Sequence, residues 1–236
     1  MKTSYSSCSA TAVERQLKTR HQYNEKAFKQ SQLALSKMAV QLLCFHALKW
    51  ASRETNEDLC DGTNKRAVDV GSAYGYVTNL LNQLGYDCLA FDISRYALNV
   101  GEEVDRVQGD AQRLPFRDNS VNLITCFDTI EHLNYPAMLL EDSYRCLCKG
   151  GMLLAENPVK NPIDVVSDRI HRMKDIHPSL LTWSRFESLA VKAGFDIFVH
   201  GLLPIPFQRF PVFGRFIEIR VPVQTARRVL LLAKKN

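Results

Sequence analysis

The sequence predicts one α/β domain built on a mostly parallel β-sheet. Its 236 residues suffice for one domain with a full core and are few for two. Hydrophobic residues make up 46% of the chain and charged residues 23%, as in ordinary globular proteins. From residue 66 onward, short apolar segments alternate with segments of helical periodicity, a pattern that favours parallel strands joined by right-handed crossovers.

The individual elements follow from periodicity and from stop signals. Short apolar runs predict strands at residues 67–70, 88–91, 104–108, 121–127, 152–155, 195–200 and 229–233. Apolar positions at helical spacing predict helices at residues 13–29, 31–52, 77–84, 97–100 and 137–147. A capping box from Ser184 to Glu187 predicts the start of another helix, and Gly194 its end.

A polar, turn-rich stretch at residues 54–65 divides the chain in two. Residues 1–65 are predicted to be an N-terminal tail with helices, and residues 66–236 to be the main domain. Within that domain, residues 202–228 are predicted to be an insertion rich in aromatic, basic and proline residues. Its part 202–222 is a candidate for a cover over a ligand pocket, for peripheral contact with an anionic membrane, or for a segment packed on the sheet.

Charge and cysteine content suggest where the protein works. Basic residues are in excess near both ends and acidic residues in the middle, which would suit an anionic partner, although a solvated surface gives the same pattern. The seven cysteines are odd in number and lack a zinc-like spacing, which predicts reduced thiols in a cytoplasmic protein. The apolar run at residues 38–48 is too short to span a bilayer.

Small and acidic residues follow the first three predicted strands, at the edge where such sheets bind ligands. Residues 69–75 read Asp-Val-Gly-Ser-Ala-Tyr-Gly, so a ligand can approach the backbone closely, and Asp69 can bind an ammonium group. After the second strand, Asp92 is placed to accept from both hydroxyls of a ribose, unless it caps the next helix, which Ser94 could also do. After the third strand, Asp110 can accept from an adenine amino group.

The segment after the fourth strand is the most informative. Asp128, Glu131 and His132 stand at positions i, i+3 and i+4, which places three ionisable side chains on one face of a helical turn. These residue types serve as general acids and bases and as ligands of divalent metals.

In this order the segments resemble those of the class I S-adenosylmethionine-dependent methyltransferases. Residues 69–75 resemble the family's D-x-G-x-G-x-G loop, with Ala73 at the middle glycine and the bulky Tyr74 after it. Residues 114–116 and 147–151 are similar to the family's sequences before the fourth and fifth strands. The resemblance covers residues 66–200. Within this family, the segment most resembles the type 11 methyltransferase domain and is similar to the ubiquinone-biosynthesis O-methyltransferases.

The resemblance implies a Rossmann-like fold of seven mostly parallel strands, with helices on both faces and an antiparallel last strand. It implies S-adenosylmethionine as cofactor, bound by Asp69, Gly71, Ala73, Gly75, Asp92, Ile93, Asp110, Ala111 and Asp128. Gly71 and Gly75 would flank the methionine part, Asp92 would bind the ribose, and Asp110 with Ala111 the adenine. Ala73 adds a methyl group near the cofactor, which would weaken or tilt its binding.

The resemblance also implies methyl transfer onto a small-molecule acceptor, with O-methylation of a lipophilic acceptor as the leading hypothesis. Asp128 would border the transfer site, and His132, with Glu131, would help to remove the acceptor's proton. In similar O-methyltransferases a D/E-x-x-E-H set binds a metal; here Asp128, Glu131, His132 and His177 would bind Mg²⁺ or Mn²⁺. The alternative is that Glu131 and His132 form only local hydrogen bonds.

Three other functions are compatible with the sequence to different degrees. An RNA methyltransferase would share the fold, but the sequence shows no RNA-binding module, so nucleic acid is not expected as a partner. Ala73 and Tyr74 would suit a module that binds the cofactor without catalysis. A nicotinamide-dependent dehydrogenase is disfavoured, because the loop lacks the G-x-G-x-x-G order. The oligomeric state is not predicted.

Overall fold

The computed structural model describes residues 37–160, 178–202, 220–223, 226 and 228–236. The predicted helix at residues 13–29, the start of the helix predicted at 31–52, and His177 lie outside the described residues, as does most of the insertion predicted at 202–228. No helix in the described ranges is long and apolar enough to cross a membrane.

Helices and strands alternate through most of the described chain. In chain order they are α1 (Lys37–Thr55), β1 (Arg66–Val70), α2 (Tyr76–Gln83), β2 (Asp87–Asp92), α3 (Arg95–Val100), β3 (Arg106–Gln108), β4 (Val121–Phe127), a 3₁₀ turn (Ile130–His132), α4 (Pro136–Cys146), β5 (Leu147–Pro158), α5 (Trp183–Lys192), β6 (Asp196–Leu202), β7 (Arg220–Val221) and β8 (Arg228–Lys234).

The strands form one sheet in the order β3-β2-β1-β4-β5-β8-β6-β7. β1 to β5 pair in parallel, whereas β8 is antiparallel to both β5 and β6. The predicted Rossmann-like α/β sheet with an antiparallel last strand is therefore confirmed. The two-residue strand β7 is an addition that pairs antiparallel with the end of β6, and two residues are too few to show a periodic pattern.

Two apolar clusters cover the two faces of the sheet. On one face, α4 and α5 contribute Leu139, Leu140 and Phe186. On the other face, α1 and α2 contribute Trp50 and Leu81. The central strands are thus buried on both sides, as parallel strands require, and helices lie on both faces, as predicted.

Several predicted element boundaries were wrong, and for two of them the structure shows the cause. α5 begins at Trp183 rather than at the capping box of Ser184, and its N-cap is Thr182. Thr182 pairs with Lys160 in a β-bridge, which keeps the backbone extended up to the cap. β5 begins directly after α4, because Leu147 already pairs with β4 before a register shift.

Candidate functional site

The carboxyl ends of β1, β2 and β4 lie side by side, because β1 is flanked by β2 and β4. The loop at residues 71–75, Asp92 and the turn at residues 128–132 therefore meet at one edge of the sheet. Asp110 follows β3, which pairs with β2 at the same edge. The structure thus brings together most of the residues that the sequence singled out.

The loop at residues 71–75, hereafter the cofactor loop after the role that the sequence predicts for it, has backbone conformations that favour small residues. Gly71 and Gly75 have φ angles of 73° and 75°, in the left-handed region that glycine adopts without strain. Ala73 adopts the same region, with φ of 50°, despite its Cβ. A Cβ on Gly71 would lie 2.0 Å from Oγ1 of Thr129, so the loop contacts the turn after β4 directly.

Asp69 is buried beneath the cofactor loop. Its Oδ2 accepts from the N–H and the hydroxyl of Thr78 at 3.1 and 2.9 Å, and its Oδ1 accepts from the hydroxyl of Thr125 at 2.9 Å. Burial raises the pKa of Asp69 to about 6 in spite of these donors. Asp69 thereby links α2 and β4 to β1, and both of its oxygens already accept hydrogen bonds from the protein.

Asp92 ends β2 and is only 8% exposed. Its Oδ2 accepts from the N–H of Ala73 at 2.8 Å, and its Oδ1 accepts from the N–H of Ser94 at 2.7 Å. Ser94, not Asp92, caps α3, since its hydroxyl accepts from the N–H of Ala97. Burial raises the pKa of Asp92, and the N–H donors oppose that rise. A carboxylate can accept about four hydrogen bonds, so Asp92 retains capacity for hydroxyl donors of a ligand.

The turn after β3 is fixed by its own side chains. Oδ1 of Asp110 accepts from the N–H of Gln112 at 2.9 Å, and Oε1 of Gln112 accepts from the N–H of Tyr135 at 2.7 Å. Ala111 is buried in the apolar cluster beside the turn. Ile93, which follows Asp92, lies half-buried between the two strand ends.

The turn after β4 combines backbone strain with a buried acid. Asp128 has a φ of 47°, and Glu131 is 2% exposed. Among the described residues Oε2 of Glu131 has no hydrogen-bond partner, and its Oε1 lies 4.0 Å from Nε2 of His132. Burial, followed by the negative charge of Asp128, raises the pKa of Glu131 well above its usual value. The side chain of His132 is partly exposed.

Two charged residues at this edge were missed by sequence reasoning. Glu156 near the end of β5 is 1% exposed, and its Oε2 accepts from Nη2 of Arg228 at 2.7 Å. Nε of Arg228 donates to the other oxygen of Glu156, and Nη2 also contacts Oδ1 of Asp128. The available signal was the acidic residue in the otherwise apolar run of residues 152–156.

Within the described part of the predicted metal set, Asp128, Glu131 and His132 do not by themselves form a group that could hold a metal ion. Within the described ranges, groups of three or more His, Cys, Asp or Glu side chains that could hold a metal are absent. Asp128 contacts the guanidinium of Arg228, whose positive charge would compete with a cation. Because His177 lies outside the described residues, the Mg²⁺ or Mn²⁺ site stays a prediction.

Known proteins share part of this sequence and the fold. Residues 68–155 match the family model described as a methyltransferase domain. A solved S-adenosylmethionine-dependent methyltransferase of Archaeoglobus fulgidus superposes with a TM-score of 0.63 at 15% identity, over 90% of this chain and 100% of that one. The chain therefore contains a segment similar to a methyltransferase domain and shares the fold of that solved structure.

Curated relatives that match part of the chain include methyltransferases named for quinone biosynthesis. A demethylmenaquinone methyltransferase of Renibacterium salmoninarum is 32% identical over 94 residues, which cover 38% of this chain and 40% of the relative. A ubiquinone/menaquinone biosynthesis C-methyltransferase of Vibrio vulnificus is 30% identical over 128 residues, 46% of this chain and 49% of the relative. The chain thus matches about half or less of the length of these relatives.

The site residues of this chain fit S-adenosylmethionine. The cofactor loop permits close approach of a ligand to its backbone, because two of its residues are glycines at positive φ. Asp92 offers a buried carboxylate with acceptor capacity at the neighbouring strand end, where a ribose binds in folds of this type.

Proposed function

We propose that this protein transfers the methyl group of S-adenosylmethionine to a small acceptor at the carboxyl edge of β1, β2 and β4. The observation that carries the proposal is the buried Asp92, whose carboxylate is oriented by the N–H of Ala73 from the cofactor loop. When bound, S-adenosylmethionine supplies an electrophilic methyl group on a sulfonium. The protein then has to bind the methyl donor and the acceptor, align them, and exclude water from the site.

Each predicted residue has a role consistent with its position. Asp92 accepts from the ribose hydroxyls, and Asp110, Ala111 and Ile93 border the adenine. The cofactor loop, with Gly71, Ala73 and Gly75, lies along the methionine part. Asp69 acts mainly through the protein, because its two oxygens accept from Thr78 and Thr125. Asp128 lies beside the transfer site.

His132 is the proposed base for an acceptor hydroxyl. Its side chain is 24% exposed, so it is accessible from the site edge, while the neighbouring Glu131 is buried. A hydroxyl acceptor loses a proton during O-methylation, and histidine has an ordinary pKa close to neutral, which suits a general base. Contact of residues 202–222 with a membrane would suit a lipophilic acceptor and stays a prediction.

A second candidate is methylation at a ring carbon of a quinone-type acceptor. The names of the two relatives support it, since one is a demethylmenaquinone methyltransferase and the other a C-methyltransferase. A ring carbon that gains a methyl group also loses a proton, so the same base would serve. With a ¹³C-labelled methyl donor, the chemical shift of the product methyl distinguishes a methoxy group from a ring methyl.

The cofactor assignment is tested by calorimetric titration of the protein with S-adenosylhomocysteine. Asp92→Ala removes the acceptor for both ribose hydroxyls, so we expect affinity to fall by about 10- to 100-fold, the cost of one or two charge-assisted hydrogen bonds. Asp87→Ala, at the exposed start of the same strand, is the matched control and should leave affinity unchanged. Equal affinity in Asp92→Ala and the wild type would refute the assignment.

A further inference from the structure

One arginine connects three strands at the edge of the site. Arg228 is the first residue of β8, and its guanidinium donates to both carboxylate oxygens of Glu156 on β5. The same Nη2 also contacts Oδ1 of Asp128, in the turn after β4. A two-pronged contact of this kind fixes the plane of the guanidinium, and Glu156 is too buried to move toward water.

Asp128 occupies a backbone conformation that needs external support. Its φ of 47° lies in the left-handed region, which a residue with a Cβ avoids in the absence of other contacts. Two contacts constrain it. Its N–H donates to the carbonyl of Glu156 at 2.8 Å, and its carboxylate contacts Arg228.

The turn is in contact with the cofactor loop. The side chain of Thr129 fills the space where a Cβ of Gly71 would be, at 2.0 Å for Oγ1 and 2.7 Å for Cγ2. A shift of residues 128–129 would therefore change the position of the loop, since the side chain of Thr129 leaves no free space beside Gly71.

We propose that Arg228 is a positioning residue, which uses the buried Glu156 as an anchor to set Asp128 and, through Thr129, the cofactor loop. This inference rests on the proposed function, because it takes the loop at residues 71–75 to be the cofactor site. It gives the last strand a role in cofactor binding, although β4 and β5 lie between β8 and β1.

The competing interpretation is that Arg228 only neutralises Glu156. An arginine of that kind would matter for stability alone. A buried ion pair can often be replaced by apolar side chains of similar volume with little loss of stability, whereas removal of one partner is strongly destabilising. The double variant Glu156→Leu/Arg228→Met therefore separates the two interpretations, because it removes both charges at once, leaves no buried polar group unpaired in their place, and leaves Asp128 without its contact to Arg228.

The experiment measures thermal unfolding and, by calorimetry, affinity for S-adenosylhomocysteine. We expect the double variant to unfold near the wild-type temperature and to bind about tenfold more weakly, as small displacements in a binding site commonly cause. Asp128→Ala should cause a similar loss in the wild type and little further loss in the double variant, since both changes break the same contact. Lys234→Gln, at the other end of β8, removes an equal charge and should change neither quantity.

Wild-type affinity in a folded double variant would overturn the inference. Should the double variant fail to fold, Arg228→Lys decides in the same way, because lysine keeps the charge but lacks the two-pronged geometry. Weaker binding by Arg228→Lys, beyond the unfolded fraction, supports the positioning role, and unchanged binding excludes it. Absence of binding by the wild type would contradict the proposed function itself, which separates the two failures.

Discussion

Ala73 is the residue at which the cofactor loop departs from the D-x-G-x-G-x-G pattern that residues 69–75 resemble. Its φ of 50° places a Cβ in the left-handed region, at a cost of about 1–2 kcal/mol. The N–H of the same residue donates to Asp92 at 2.8 Å. Ala73 thus orients the carboxylate of Asp92, for which ribose binding is predicted. The same hydrogen bond holds Ala73 in its left-handed conformation, so the loop keeps its geometry with an alanine at this position.

Ala73→Gly should tighten cofactor binding with little effect on stability. Relief of strain is offset by the greater freedom of glycine in the unfolded chain, so the free energy of unfolding should change by less than about 1 kcal/mol. Loss of the methyl group next to the cofactor should increase affinity for S-adenosylhomocysteine, measured by calorimetry. Asn64→Gly changes another residue at positive φ, away from the site, and should leave affinity unchanged. Weaker binding by Ala73→Gly would contradict the expectation.

Asp69 should make stability depend on pH. Its pKa is about 6 in the folded protein against 3.8 for an unperturbed aspartate, so the folded state binds the proton more tightly. The resulting stabilisation is full below pH 3.8 and is lost as pH rises through about 6, a change of roughly 3 kcal/mol.

Asp69→Asn should remove the loss of folding stability that Asp69 causes as pH rises. An asparagine can accept from Thr78 with its oxygen and donate to the hydroxyl of Thr125 with its nitrogen, so the fold is preserved. Urea unfolding across the range from about pH 4 to pH 7 should show a wild-type stability that falls relative to the variant. Asp87→Asn, at an exposed position, is the control. Parallel curves for wild type and Asp69→Asn would contradict the prediction.

At the scale of elements, the contact between the cofactor loop and the turn after β4 sets the geometry of the site. Gly71 and Gly150 have similar φ angles of 73° and 78°. A Cβ on Gly71 would clash with Thr129, whereas a Cβ on Gly150 would have no atom within 4 Å. Alanine substitutions at Gly71 and Gly150 can therefore be compared to separate the cost of backbone strain from the cost of the steric clash.

Gly71→Ala should destabilise the protein more than Gly150→Ala does. The two changes share a backbone cost of about 1–2 kcal/mol. At Gly71 the clash should add about 1–3 kcal/mol and should also abolish binding of S-adenosylhomocysteine. Urea unfolding and calorimetry measure the two effects. Equal destabilisation by both variants would show that the loop and the turn do not restrict one another.

At the scale of the whole molecule, α1 is part of the core. Trp50 is 1% exposed and packs with Leu81 and Leu232, so α1 covers one face of the sheet. The predicted division of the chain at residue 65 stays a prediction. That division was placed at the polar stretch before β1, and it takes no account of the burial of α1 against the sheet.

A fragment of residues 66–236 should therefore lose cooperative unfolding in urea, because the face of the sheet under α1 would be exposed. In the full chain, Trp50→Ala should cost about 3–5 kcal/mol. Met38→Ala, on the exposed side of the same helix, should cost less than about 0.5 kcal/mol. Cooperative unfolding of the fragment at wild-type urea concentrations would show that α1 is dispensable.

Much of the fold was predictable because its signals are local. The strand from 121 to 127, for example, is a mostly apolar run with only Asn122 and Thr125 polar, and the structure has it at the same residues. The strand predicted at 104–108 is observed only at 106–108, since an exposed edge strand pairs on one side and needs no apolar pattern. The start of α5 was missed because a long-range bridge, from Thr182 to Lys160, decided it.

The sequence by itself determined the parallel sheet and the acidic residues at the ends of its first, second and fourth strands, because period and spacing are properties of neighbouring residues. Only the tertiary structure showed that Arg228 reaches Glu156 and Asp128, residues 72 and 100 positions away. Such contacts depend on strand order, which inserts β8 between β5 and β6. Burial of Glu156 makes the pairing necessary, since a carboxylate out of water needs a partner.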